Sequence, residues 1–581
     1  MDRENIRRLV KENKIWIFMV GRWQKDFEYV FPDVSVEGYI DDRIDQSGWQ
    51  GKVLWKSKDF VEKVSQEKTL IICCYPRSFH KSEHNFYDKF HGYSCLYAEE
   101  LFFLLDDEVR SNVGNRKIAV WGTGHVAERV LPELSKNFDI EYFIDSDKSK
   151  NEFHGIEIRH PDNIPMSVEH TYIVVANSYY DVISRQLVGI GLKAGEDFCN
   201  YKDFRLPSEL LCRTWNDKSC YFLECQTMLH HLDVLEKGEL NCCCTTFMLE
   251  LLGGLLHKEF KDIWNSKWHR ILCTSILNHT YSFCRRDLCP ALVCKDRQDY
   301  EELFNDCQYP DVEEHPSSIN ICLDNACNLY CESCRDKLLV ADGKYSAIAE
   351  LVAEKVEQDI LPHVNFIMMA GNGEVFLSKV YRKLWLSSAG KKSKYFQILT
   401  NGTLFNEKIW QDFKAERTSS VFLCVSIDAA TKETYQRIRR GGNWDKLMEN
   451  MRFAGNLRAR GEIKYFRLNF VVQRGNYKEI PQFIEMAKSF NADRVLFTRI
   501  LNWGTYSKDE FENITMVDAQ GRPKPELQNI LDMPVCKDSI VDIGTFNWNH
   551  VYSERNRVGS YYLWEIDNYS NMQLENDVLG M

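Results

Sequence analysis

Between residues 317 and 501 six short apolar runs alternate with longer amphipathic stretches: SINICLD, FIMMAGNGE, FQILTNG, FLCVSIDA, FRLNFVVQ and DRVLFTRI. Strands separated by helix-length segments cannot form hairpins, so they pair in parallel through crossover helices. Ile348, Leu351, Val352, Val356 and Ile360 form one such helical stripe, with Ser346 as its expected N-cap. The expectation is α/β, with a partial (β/α)6 TIM-like barrel over residues 315–510. A strand buried on both faces should be almost wholly apolar. In YFRLNFVVQ, however, Arg467, Asn469 and Gln473 interrupt the apolar positions, and in VFLCVSID residues Cys424, Ser426 and Asp428 share one face. Such polar faces predict a wet, ligand-holding interior, with the chemistry at the C-terminal ends of the strands.

The first run leads straight into CNLYCESC, which places Cys327, Cys331 and Cys334 at spacings of four and three. Three thiolates are one short of the complement of a tetrahedral zinc site or a four-iron cluster. The chain has 21 cysteines, and in a reducing compartment clustered thiols point to metal or iron–sulfur ligation rather than to disulfides. A second concentration spans residues 206–300: Cys225, the triplet Cys242-Cys243-Cys244, then Cys284 and Cys289 in YSFCRRDLCP. Two separated pairs of thiols joined by an amphipathic helix, FKDIWNSKWHRILCTSIL, can supply four ligands to one site. Zinc is the alternative, although it favours CxxC pairs, which are missing here.

The first two hundred residues carry a doubled pattern. KIWIFMVGRW (14–23) aligns with KIAVWGTGHV (117–126), EGYIDD (37–42) with EYFIDS (141–146), and TLIICC (69–74) with TYIVVA (171–176). A constant offset predicts two copies of one Rossmann-like α/β unit. In the second copy Gly122, Gly124 and Ala127 form a GxGxxA turn with Asp145 downstream, a dinucleotide fingerprint whose acid would take a ribose hydroxyl. Met19 replaces the first glycine in the other copy, so that turn is expected to be a scaffold. The unit resembles small modules fused to sugar-modifying and glycan-assembly enzymes.

Taken with their strand, glycine-acid motif and six-strand rhythm, residues 317–501 resemble a radical S-adenosylmethionine (SAM) core. The resemblance implies that Cys327, Cys331 and Cys334 hold a [4Fe–4S] cluster whose fourth iron is left for SAM. It also implies reductive cleavage of SAM to methionine and a 5′-deoxyadenosyl radical, which abstracts a substrate hydrogen. Gly371, Gly373 and Glu374 match the motif that meets the methionine ammonium. Thr400 and Asn401 end the third strand. Ser426, Asp428 and Asn469 sit where relatives place ribose or carboxylate contacts. Arg437, Arg439 and Arg440 read either as a solvated helix end or as an anion site beside SAM. Ser333 departs from the family, where an aromatic residue commonly flanks the adenine. GELNCCC, KDIWNS and YSFCRRDLCP resemble the auxiliary-cluster half of a SPASM domain, which implies a second [4Fe–4S] cluster. Its ligands would be Cys225, Cys243 (with Cys242 next), Cys284 and Cys289, leaving Cys212, Cys220, Cys273 and Cys294 as spares.

The expected partition is 1–107 and 108–205 for the two repeats, 206–300 for the small cysteine-rich cluster domain, 315–510 for the core and 511–581 for a tail covering its rim. A net charge of −12 disfavours a nucleic-acid partner. No run approaches the roughly twenty apolar residues of a membrane span, and MDRENIRRLVKENK has no signal-peptide core. A cytoplasmic location without a membrane partner is therefore expected. The expected partners are a peptide, sugar-linked or other small-molecule substrate and an electron donor such as flavodoxin or ferredoxin. The competing expectation is a non-catalytic iron–sulfur or zinc-stapled scaffold, which would bind metal without turning over SAM.

Overall fold

The computed structural model describes residues 3–543 except 21–23, 25–26, 29, 75–83, 165–169, 178, 205–219, 224–230, 246, 249, 278–281, 285–291, 296–314, 340–342, 371–372, 503–504 and 519–520. The N-terminal apolar runs become β1 (Lys14–Phe18), β2 (Val36–Ile40), β3 (Gly48–Trp49), β4 (Lys52–Trp55), β5 (Thr69–Cys73) and β6 (Ser94–Tyr97), ordered β3-β4-β2-β1-β5-β6. The next sheet holds β7 (Lys117–Trp121), β8 (Ile140–Ile144), β9 (Glu152–Phe153), β10 (Ile156–Arg159), β11 (Thr171–Val175) and β12 (Phe198–Asn200), ordered β12-β11-β7-β8-β10-β9. Read from β1 and from β7 the two orders coincide, including the short antiparallel pair at one edge. All five residues of β5 and of β11 are buried, as interior parallel strands require.

The turn after the first strand is left-handed in both sheets. Gly122 has φ +125°, and a Cβ there would stand 2.5 Å from the Ala176 carbonyl oxygen. Met19, its counterpart, holds φ +69° despite its side chain. The turn geometry is thus kept where the glycine is lost.

The cysteine-rich segment contributes β13 (Cys220–Leu223), β14 (His231–Val234), β15 (Glu239–Asn241), β16 (Gly253–Gly254) and β17 (Leu292–Lys295). β13 and β17 pair antiparallel with each other. The six expected core strands follow as β18 (Ser318–Ile321), β19 (Phe366–Met369), β20 (Tyr395–Thr400), β21 (Ser420–Ser426), β22 (Tyr465–Val472) and β23 (Arg494–Arg499), with β24 (Val541–Asp542) beyond them. They lie in chain order within one ten-stranded sheet, β16-β15-β14-β18-β19-β20-β21-β22-β23-β24. Two pairings extend the core sheet beyond those six strands. β14 pairs in parallel with β18, so the cysteine-rich hairpin extends the core sheet. β24 pairs in parallel with β23, so the segment after 511 adds a strand as well as covering a rim.

Sequential neighbours joined by right-handed crossovers place every crossover helix on one face of the sheet. The burial pattern agrees. Along β22, Phe466, Leu468, Phe470 and Val472 are fully buried beneath helices, while Tyr465, Arg467, Asn469 and Val471 are half-buried on the helix-free face. β18, β19 and β20 alternate in the same way. Each fully buried Leu, Phe or Val contributes about 1.5–3 kcal/mol, so the helical face holds the sheet together and the other face is released for polar residues.

The helix after β18 runs from Gly343 to Lys355 and widens into a π turn, Val356–Ile360. Its buried stripe is Ala349, Val352, Ala353, Val356 and Ile360, whereas Leu351 is 49% exposed. Two small alanines let the helix lie close to the sheet, which rotates Leu351 outward. Ser346 lies inside the helix and donates to Glu350, so it is not the N-cap.

Candidate active site

The cysteine loop leaves the C-terminal end of β18 and is gripped by three neighbours. From the β19 side Gly373 presses on it so closely that a Cβ would stand 2.3 Å from the Asp324 carbonyl oxygen and 2.7 Å from that of Ala326. The Glu374 amide donates to the Ala326 carbonyl at 2.8 Å. From the end of β20, Asn401 Nδ2 donates to Asn328 Oδ1 at 2.9 Å and to the Cys327 sulfur at 3.8 Å. The third neighbour is the segment after the helix Lys432–Ile438. There the Tyr330 and Glu332 amides donate to the carbonyls of Arg440 and Ile438, and Arg440 donates back to the carbonyls of Tyr330 and Arg335. Gly441, at φ +85°, lets this segment pass the Tyr330 ring.

Within that grip the sulfurs face nitrogen donors. The Cys327 sulfur accepts from the Leu329 amide at 3.5 Å, the Cys331 sulfur from Arg439 Nη1 at 3.6 Å, and the Cys334 sulfur from Arg335 Nε at 3.4 Å. Burial raises the thiol pKa of Cys327 and of Cys331, and the Leu329 amide and the Arg439 guanidinium respectively work against it. Donors of this kind favour thiolate, the form that ligates iron. Among the described residues no three His, Cys, Asp or Glu side chains already converge at the spacing of a single ion's ligands. A four-iron cluster binds each thiolate to a separate iron, so its ligands stand farther apart than those of one zinc ion. The donor set fits such a cluster.

Glu374 is 1% exposed. Its carboxylate accepts from Thr400 Oγ1 at 2.6 Å, the Asn401 amide at 2.8 Å and the Phe376 amide at 3.3 Å. Burial raises its pKa against these hydrogen bonds. A carboxylate has about four acceptor sites, so one remains on Oε2. Glu374 is thus first a tie between the ends of β19 and β20. Thr400 likewise spends its hydroxyl on Glu374 and on the Gly402 amide.

Asp428, expected at SAM, is turned elsewhere. At φ +63° it sends Oδ2 to Arg439 at 2.6 Å and accepts from the Val471 amide on Oδ1. Arg439 remains protonated, because Asp428 and Cys331 outweigh the burial that opposes its charge. Its buried Nε has no partner among the described residues. Arg439 thus bridges the Asp428 carboxylate and the Cys331 sulfur. Ser426 and Asn469 are register partners at the ends of β21 and β22, half-buried on the helix-free face. Gly371 lies outside the described residues.

Cys242 is fully buried, and burial pushes its thiol pKa up, with Cys273 and Cys284 among the groups that add to the rise. Cys273 is also buried, Cys243 and Cys284 are half-buried, and Cys244 is exposed. Cys225 and Cys289 lie outside the described residues. Asp145, expected at a ribose, is engaged by the Thr123 hydroxyl and by Lys150 at 3.3 Å. A feature missed from sequence is His231 on β14, whose ring nitrogens meet Ser318 Oγ at 2.8 Å and Asp233 Oδ1 at 3.0 Å. No helix among the described residues is long and apolar enough to cross a membrane.

Comparison with known proteins follows this geometry. Residues 114–196 match the family model described as C2185-like, N-terminal. The chain is similar to Streptococcus suis SuiB bound to S-adenosylmethionine (15% identity, TM-score 0.26, covering 34% of this chain and 43% of that one). It is also similar to SuiB bound to precursor peptide SuiA (12%, 0.26, 42% and 47%) and to native anSMEcpe with bound AdoMet (18%, 0.27, 34% and 56%). The chain thus spans about half the length of these structures. No curated protein matches it. Residues 321–487, which hold the three-cysteine loop and the strands that grip it, match the Radical SAM superfamily, and this part of the chain is a radical SAM domain.

Proposed function

We propose that the protein is a radical SAM enzyme in which Cys327, Cys331 and Cys334 hold a [4Fe–4S] cluster at the C-terminal end of the core sheet. The observation that carries this reading is the set of nitrogen donors aimed at the three sulfurs from Leu329, Asn401, Arg439 and Arg335. A cluster held by these three thiolates would supply the electron for reductive cleavage of SAM, the source of the hydrogen-abstracting radical. The remaining acceptor site of Glu374 meets the methionine ammonium, and Ser426 and Asn469 line the path from SAM into the protein. Gly373 keeps the cysteine loop at its distance from β19.

In this reading the sheet curls about its helix-free face as a partial (β/α)6 barrel, and that face is the lumen that takes a peptide or sugar-linked substrate. The two N-terminal sheets are Rossmann-like repeats, and the cysteine-rich segment holds an auxiliary [4Fe–4S] cluster, with Cys225, Cys243 or Cys242, Cys284 and Cys289 as its ligands. A small electron-transfer protein such as flavodoxin or ferredoxin supplies the electron.

Anaerobic reconstitution of the full chain and of a Cys327/Cys331/Cys334→Ala variant tests the reading. The wild type should carry about eight irons, the variant about four. Only the wild type should form 5′-deoxyadenosine from SAM with dithionite. Iron content equal in both proteins, with SAM left intact, would refute it.

A further inference from the structure

We infer that Arg467 and Arg494 form an anion subsite on the helix-free face, which takes a carboxylate group of the substrate. The inference rests on the reading of that face as the substrate lumen.

Register places the pair. Leu399, Cys424, Arg467 and Arg494 lie side by side across β20, β21, β22 and β23. Ser426 and Asn469 form the next layer toward the cysteine loop. Two residues of strand separate the layers, about 6.6 Å. A substrate reaching the cysteine loop therefore lays its more distant groups over the two arginines.

Charge makes the pair unusual. The Arg467 guanidinium donates through Nε to Asn469 Oδ1 at 2.9 Å and makes no ion pair among the described residues. Arg494 Nη1 reaches the Ser539 carbonyl at 3.1 Å and likewise has no carboxylate. Arg439 is matched by Asp428, and Arg458 by Asp493 through two bonds of 2.6 and 2.7 Å. Arg417 and Arg440 also lack a carboxylate but spend their terminal nitrogens on backbone carbonyls, which the terminal nitrogens of Arg467 do not do among the described residues. Like charges on neighbouring strands are destabilising, and half-burial adds to the cost. Of the acids on that face, Asp233 stands across the sheet on β14, held by His231, and Asp542 lies on β24 beside Leu496, one layer from Arg494. Neither forms an ion pair with the two arginines among the described residues. An incoming anion is what the pair lacks. Because Asn469 holds Nε, the terminal nitrogens of Arg467 remain as a planar fork for two parallel hydrogen bonds.

Calorimetric titration of the cluster-free full chain with two pairs of probes tests this: a glycine-flanked glutamate pentapeptide against its glutamine twin, and glucuronate against glucose. The wild type should bind one acidic probe at least about tenfold tighter than its neutral twin, and that pair identifies the source of the anion. Arg467→Gln should abolish the preference and Arg467→Lys should keep part of it. If Arg467→Gln lowers the thermal midpoint, Arg494→Gln reads the same preference. No preference in either pair, or one that survives Arg467→Gln, overturns the subsite. SAM cleavage by the reconstituted wild type is measured alongside. Its absence counts against the radical reading alone, whereas cleavage without anion preference counts against this subsite alone.

Discussion

Arg439 holds the Cys331 sulfur at 3.6 Å through one terminal nitrogen and the Asp428 carboxylate at 2.6 Å through the other. A fixed positive charge thus stands against one of the three thiols, with its counter-charge on the side away from the cysteine loop.

Removing that charge should act on the cluster before it acts on the fold. Arg439→Gln is expected to shift the cluster potential to more negative values, since a nearby cation favours the reduced form, and to slow 5′-deoxyadenosine formation about ten- to hundredfold. Potentiometric titration followed by electron paramagnetic resonance reads the first effect directly. Asp428→Asn, which strands a buried guanidinium, should cost about 3–5 kcal/mol in denaturant unfolding.

Glu374 gives a pH signature. Its pKa is raised in the fold, from 4.5, by burial. Its contribution to stability is therefore complete below the unfolded value and lost as pH rises through the folded one. Glu374→Gln carries no charge at any pH. Relative to wild type, its unfolding free energy should improve steadily as pH rises above 4.5. Denaturant curves of the cluster-free proteins at several pH values from 4.5 upward would show this, and a gap independent of pH would contradict it.

The opposite sign is expected at Glu462. Hydrogen bonds from Trp410, Arg460 and Lys414 lower its pKa to about 2. Its contribution is present above 4.5 and disappears as pH falls through about 2. For a largely surface cluster the effect is modest, about 1 kcal/mol at neutral pH. Glu462→Gln should thus destabilise the protein at neutral pH by that amount and approach wild type near the acid limit.

Gly373→Ala should separate loop geometry from ligand chemistry. The added methyl meets backbone oxygen on both Asp324 and Ala326. Backbone yields less readily than a side chain, so about 1–3 kcal/mol of strain is expected. All three cysteines are retained, yet reconstituted iron should fall toward the content of the triple-alanine variant.

The parts of this architecture that sequence displays are those written in local periodicity. The six core strands arise where the apolar runs stand, because alternation and crossover spacing are properties of neighbouring residues. The polar face of β22 was legible for the same reason, from Arg467 and Asn469 alone. The clamp by residues 437–442 was not, since its bonds to Tyr330 and Arg335 run between backbone and side chains more than a hundred positions apart. Asp428 carries no local sign that its carboxylate is taken up by Arg439. The pairing of β14 with β18 crosses a long insertion that no short-range pattern spans.

That pairing also determines how the core meets other chains. Strands at a sheet's border present free amide and carbonyl groups onto which a foreign strand can build. β14 covers the border that β18 would otherwise present, and β24 covers Val495 and Leu496 of β23. The ten-stranded sheet therefore terminates in two strands of only two residues each, Gly253–Gly254 and Val541–Asp542. Little backbone is on offer at either end among the described residues, and what remains open to strand addition is the part of β23 beyond Leu496 that β24 does not reach.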